Sequence, residues 1–261
     1  MNGPTILLYL VKIIGILLAT IGLQISVTPP HPPPGKSDEA PSTSWEVVVK
    51  QRAGPVVIKL ICWLAAIIEV TLISAQALGH ETLAKCVLKM LGVYPHNDFG
   101  SGNQSSFELP LLYWSSAVLY PSPVFVLGAS LAIVGGCIRY RCYRELGRLF
   151  TFEMSIMKEH RLIVSGPYAF VRHPAYTGLL CTLTGIVLIY SASGSWFVEY
   201  CALSSPLGLA IATCYLAITV TYMIGLLKRI PREDEALEDR FGPEWRSWAK
   251  RVPYRLLWGI Y

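Results

Sequence analysis

The sequence predicts an all-α integral membrane protein with about five transmembrane helices. Three observations carry that prediction. Hydrophobic residues make up 53% of the chain and charged residues only 15%, against about 25% charged in ordinary soluble domains. The apolar residues fall in runs of about 20, the length that crosses a bilayer. Basic residues gather where those runs stop: of the 22 Lys and Arg, 15 lie between Arg139 and Arg172 or between Lys228 and Arg255. Nucleic-acid binders also concentrate basic charge. Here both stretches border apolar runs, which points to the cytoplasmic face of a membrane and away from nucleic acid.

The first span is 4–27, with Lys12 inside it. It lacks the basic start and small-residue cleavage site of a signal peptide, so it reads as a helix. "TPPHPPPGKSDEAPSTS", 28–44, is a Pro- and Ser-rich extended connector. The second span, 54–78, carries Glu69 near mid-membrane. An intramembrane carboxyl is a functional candidate, but one hydrogen-bonded to a neighbouring helix is the simpler reading. Loop 79–117 holds two basic residues, Lys85 and Lys89, and the glycosylation acceptor pattern "NQS" at 103–105.

The third span is 118–138. Gly128, Ala132 and Gly136 sit four apart in it, a spacing that lets helices approach closely. "RYRCYR" then stops the run. The fourth span is 174–190, with Pro174 suited to a first helical turn. After "SASGS", residues 196–204 read as an interfacial or re-entrant piece and 207–227 as the fifth span. The chain divides into 1–53 (first span and linker), 54–148 (spans two and three with a luminal loop) and 149–261 (spans four and five with an amphipathic tail). Basic loop 139–172 and basic tail 228–261 share the cytoplasmic side. The seven Cys form no C-x-x-C pair and read as small buried hydrophobes, with no disulfide framework and no metal site.

Two polar clusters therefore meet on one membrane face, because a helical hairpin sets its outer ends side by side. One runs from Glu153 through His160 to Tyr176. The other is "LLKRIPREDEALEDRFGPEWRSWAKRVPYR", 226–255. "GPYAFVRHPAYTG" followed by "PREDEALEDRFGPEWRSWAKRVP" resembles the isoprenylcysteine carboxyl methyltransferase family, whose wider superfamily includes the phospholipid methyltransferases. The likeness covers roughly 150–255, about 40% of the chain.

The resemblance implies a cytoplasmic S-adenosyl-L-methionine site built by the C-terminal half. It implies that Glu153, His160, Arg161, Leu162, Ile163, Tyr168, His173, Pro174, Ala175, Tyr176 and Glu233 hold the cofactor. Glu153 departs from the family pattern, which has Gln there. Arg229 resembles the arginine that binds the substrate carboxylate. The implied reaction is methyl esterification of the C-terminal prenylcysteine of prenylated CAAX-type proteins, in the endoplasmic reticulum membrane.

The residue types suit that chemistry. Tyr168 and Tyr176 can stack on adenine or face a sulfonium, worth about 0.5–2 kcal/mol. Glu233 can accept from ribose hydroxyls or an ammonium. The start of the helix at Pro174 offers amide N–H groups to a carboxylate. Arg229 and Glu233, at i and i+4, share one helix face; alone, that spacing is equally a local ion pair. Arg229 is expected to hold the substrate carboxylate and Arg172 to assist. Three rivals stay open: a phospholipid N-methyltransferase, a non-catalytic scaffold with the same fold, and a nicotinamide-dependent sterol reductase.

Overall fold

The computed structural model describes residues 3–31, 53–91, 119–150, 161–202 and 206–260. Its long elements are α1 (Gly3–Val27), α2 (Ala53–Leu78), the short α3 (Glu81–Met90), α4 (Pro123–Leu146), α5 (Pro174–Ser191), α6 (Pro206–Phe241) and α7 (Pro243–Arg251). The linker beyond residue 31 and the sequon at 103–105 lie outside the described residues. Among the described residues five helices, α1, α2, α4, α5 and α6, are long and apolar enough to cross a membrane. Leu7, Leu60, Leu127 and Leu209 are among the large apolar side chains they expose, a surface matched to lipid tails rather than water. The chain is a multi-pass membrane protein.

Helices α1, α2 and α5 start and stop within a residue of their expected limits. Helix α4 begins five residues later than expected, because Pro121 and Pro123 lack the N–H a helix interior needs. Ser122 caps it, its Oγ accepting the Phe125 N–H at 3.3 Å. It then runs beyond residue 138, carrying its basic stop as helix. Arg139 explains this: its Nε donates to the Ser26 carbonyl at 2.9 Å and its Nη1 to the Ala175 carbonyl at 3.1 Å. The buried cation thus satisfies the Ser26 carbonyl at the C-terminal end of α1, where negative partial charge collects, and ties it to the first turn of α5.

The expected fifth span and the acidic segment after it form one 36-residue helix, with Pro231 inside. At 1.5 Å per residue that is about 54 Å, well over the roughly 30 Å hydrocarbon layer. The charged last third of α6 therefore extends past the membrane. Residues 197–202, expected to be interfacial or re-entrant, form a π-helical turn. Glu199 fixes it by accepting the Gly194 N–H at 2.8 Å.

The chain forms two compact units. The first contains 1–20, 62–130 and 185–217. At its heart Lys12 of α1 meets Glu69 of α2 at 2.5 Å, and also donates to the Gly194 carbonyl. Both side chains are wholly buried. Of the two readings of Glu69, the structure shows the carboxyl paired across helices. Removing one partner of such a pair costs about 3–5 kcal/mol. Glu69→Ala is expected to lower the melting temperature of the chain in detergent, and Lys12→Met with Glu69→Leu to restore most of it. A double variant as unstable as the single one would rule out charge pairing as the cause.

The second unit contains 21–61, 131–184 and 218–261. Here α4 touches both α1 and α5 backbone to backbone. A Cβ on Gly22 would lie 2.7 Å from the Ala132 carbonyl oxygen, and one on Gly178 2.7 Å from that of Gly135. Ala132 and Gly136 thus serve as packing positions against α1, as their spacing suggested.

Candidate active site

On α6 the residues Leu226, Ile230, Asp234, Leu237 and Phe241 recur at steps of four, four, three and four, the seam of one helix face. Leu237 and Phe241 pack on a core of Cys142, Tyr168, Trp245, Trp248 and Val252. Gly242, at φ +51°, turns the chain into α7. That turn brings Trp245 and Trp248 back to the core. The Trp248 indole N–H donates to the Tyr168 carbonyl at 3.3 Å, holding the 3₁₀ turn Gly166–Ala169 in place. The Tyr168 hydroxyl is pushed well above its ordinary pKa, first by burial and then by the neighbouring Cys142 and Glu233. It stays protonated at neutral pH.

The segment leading into α5 is stitched to residues 253–256. The N–H groups of Arg172 and His173 donate to the carbonyls of Tyr254 and Arg255 at 2.9 and 2.8 Å. The Thr177 hydroxyl donates to the Leu256 carbonyl at 2.7 Å. Against this braid α6 presents two consecutive carboxylates. Side chains one residue apart on a helix point about 100° from each other, so the two acids serve different partners.

Asp234, only 5% exposed, meets Arg172 Nη1 at 3.2 Å, Arg255 Nε at 3.3 Å and His173 Nε2 at 3.0 Å. Arg172 also lies over the Trp245 ring and donates to the Pro253 carbonyl at 3.4 Å. Glu233 accepts the Tyr176 hydroxyl at 2.5 Å, and Arg229 Nε is 3.7 Å from the same carboxylate. The His173 and Tyr176 rings stack with centroids 5.7 Å apart. Three Arg against two carboxylates leave the group net positive, which suits an anionic ligand.

The residues expected from the sequence are distributed as follows. His173, Tyr176, Arg229 and Glu233 come together. Arg172 is drawn into the Asp234 clamp. Leu162, Ile163 and Ala175 pack against the aromatic core, while Arg161 is exposed and Tyr168 and Pro174 are buried. Glu153 and His160 lie outside the described residues. The amides expected at the start of α5 are partly taken: Tyr176 and Thr177 N–H both donate to the His173 carbonyl. Sequence reasoning missed Asp234, Arg255 and Trp245. The four-residue step from Ile230 was the available signal for Asp234.

Residues 127–239 match the model of the isoprenylcysteine carboxyl methyltransferase (ICMT) family. A probable protein-S-isoprenylcysteine O-methyltransferase of Oryza sativa subsp. indica is 30% identical over 149 residues, 54% of this chain and 68% of the relative. The chain belongs to the isoprenylcysteine carboxyl methyltransferase family. Protein-S-isoprenylcysteine O-methyltransferase B of Arabidopsis thaliana is 28% identical over 128 residues, 48% of this chain and 55% of that protein. The cobalt-zinc-cadmium resistance protein CzcN of Cupriavidus metallidurans is 33% identical over 128 residues, 49% of this chain and 45% of the relative. The chain thus spans about half to two thirds of these relatives' lengths. The family match takes in Arg172, His173, Tyr176, Arg229, Glu233 and Asp234. Trp245 and Arg255 lie beyond it. Membership in this methyltransferase family implies a methyl donor.

Proposed function

We propose that the chain uses S-adenosyl-L-methionine to methyl-esterify the C-terminal prenylcysteine carboxylate of prenylated CAAX-type proteins. We place it in the endoplasmic reticulum membrane, with the site and C-terminal half on the cytoplasmic face. One observation carries the reading: Arg229 and Glu233, a turn apart on α6, converge with Tyr176 where α5 begins.

The residues suit the cofactor. Glu233 is a partly exposed carboxylate for hydroxyls or an ammonium, and Tyr176 fixes its position. The buried Trp245 indole N–H has no acceptor among the described residues and can donate to a ligand. When bound, the cofactor supplies a methyl group on a positively charged sulfur. The chain does the rest. An α-carboxyl has a pKa near 3.5, so it is ionised at neutral pH and needs no general base. Arg229 can hold it through two parallel N–H bonds. The aromatic core beside the site excludes water, which would otherwise weaken that hold. Arg172, whose Nη1 meets Asp234 and whose Nη2 donates to the Pro253 carbonyl, acts as a positioning residue.

The test uses membranes containing the full chain, methyl-labelled S-adenosyl-L-methionine and N-acetyl-S-farnesylcysteine. Base-labile label is the expected result. Base-stable label on phosphatidylethanolamine would overturn the ester reading in favour of a phospholipid amine. Absence of cofactor binding would point to a scaffold, and binding of a nicotinamide cofactor in its place to a reductase.

A further inference from the structure

Residues 252–260 run beside the start of α5 and end in an exposed apolar tip. Val252 and Leu256 are buried, but Leu257, Trp258 and Ile260 are 48%, 74% and 79% exposed. Their depth follows from the hydrogen bonds. Leu256 is tied to Thr177, in the first turn of the span that begins at Pro174. The tip therefore lies level with the end of a membrane-crossing helix.

Phe170, just before the braided segment, is also largely exposed. Lys250 and Arg251, at the end of α7, are exposed as well. The charged groups that α7 adds beside them are Glu244 and Arg246, the latter paired with Glu238 of α6 at 3.2 Å. Apolar residues with a Trp at span depth, preceded by two exposed cations, match the boundary layer of a bilayer. Trp favours the headgroup level there, and basic side chains reach lipid phosphates.

We propose that Leu257–Ile260 seats in the headgroup–acyl boundary of the leaflet at which α5 begins, and that this seating holds the Arg172–Thr177 turn of the site. The link runs through the chain, because the carbonyls of Tyr254 and Arg255, just before the tip, accept the Arg172 and His173 N–H groups. A loosened tip loosens those two bonds. The inference concerns lipid contact and stands apart from the reaction proposed above.

The experiment uses the full chain in nanodiscs of phosphatidylcholine and phosphatidylserine. A bimane probe is placed by Ile260→Cys, with the exposed Cys86, Cys137 and Cys214 changed to Ser. Quenching by lipid brominated near the headgroup is expected, with protection from aqueous iodide. Quenching by iodide would overturn the proposal, and so would shielding from both quenchers, which would indicate a protein partner. In the otherwise unaltered chain, Leu257→Ser with Trp258→Ser and Ile260→Ser is expected to speed amide exchange at Arg172 and His173 about tenfold, leaving the middle of α5 unchanged. Unchanged exchange at those two amides would overturn the coupling to the site.

Discussion

Asp234→Ala is expected to abolish methyl transfer and to destabilise the second unit by about 3–5 kcal/mol, the cost of leaving buried charge unpaired. Asp234 faces two guanidinium groups and one imidazole. Without it, Arg172 and Arg255 lose their shared counter-charge. Both belong to the braid that positions α5, so the damage spreads to His173 and Tyr176. Asp234→Asn keeps the shape and one acceptor oxygen but removes the charge, and should recover only part of the stability. The check is the melting temperature in detergent, together with cofactor affinity. An Asp234→Ala chain that melts like the parent would show that the cluster is not held by its charge.

Arg229→Ala should behave in the opposite way. Its pair with Glu233 is partly exposed, at 3.7 Å, and pairs of this kind contribute at most about 1 kcal/mol to folding. Stability should hardly move. Transfer should fall by about thirtyfold to several thousandfold, since truncating one side of a desolvated charge pair costs about 2–5 kcal/mol. The loss should appear as a raised KM for N-acetyl-S-farnesylcysteine with near-normal cofactor binding. Arg229→Lys keeps the charge but not the planar fork and should recover only a fraction. Glu233→Gln should reverse the pattern, weakening the cofactor and sparing the acceptor. If Arg229→Ala weakened the cofactor alone, the two residues' roles would have to be exchanged.

Much of this was legible in the sequence, for physical reasons. A bilayer imposes a length and an apolar composition, so the spans stood out. The pairing of the Arg-His-Pro-x-Tyr turn with the acidic helix was also readable. Which acid in "REDE" is buried was harder. Glu233 and Asp234 are adjacent, and their neighbours are decided by the phase of α6 against α5. The partner of Glu69 was hidden for a related reason: Lys12 lies 57 positions away, and no local pattern joins them. Pro231 lies inside α6 without ending it, because the helix is leaving the apolar layer there and water or headgroups can serve the carbonyl that a proline leaves unpaired. The charge of Arg172 was visible in the sequence, but its pairing with Asp234 joins two distant segments that no local pattern connects.

The unbroken run of α6 from lipid to site makes the helix a ruler with a phase. Each inserted residue would lift Arg229, Glu233 and Asp234 by about 1.5 Å and swing them by about 100°. One extra residue between Leu226 and Arg229 would hand the clamp to the wrong acid. Seven extra residues, two turns, would nearly restore the angle but raise the charged groups about 10 Å from the mouth of α5. No insertion length satisfies both conditions, so the count of residues between the apolar seam and the two acids is itself part of the site.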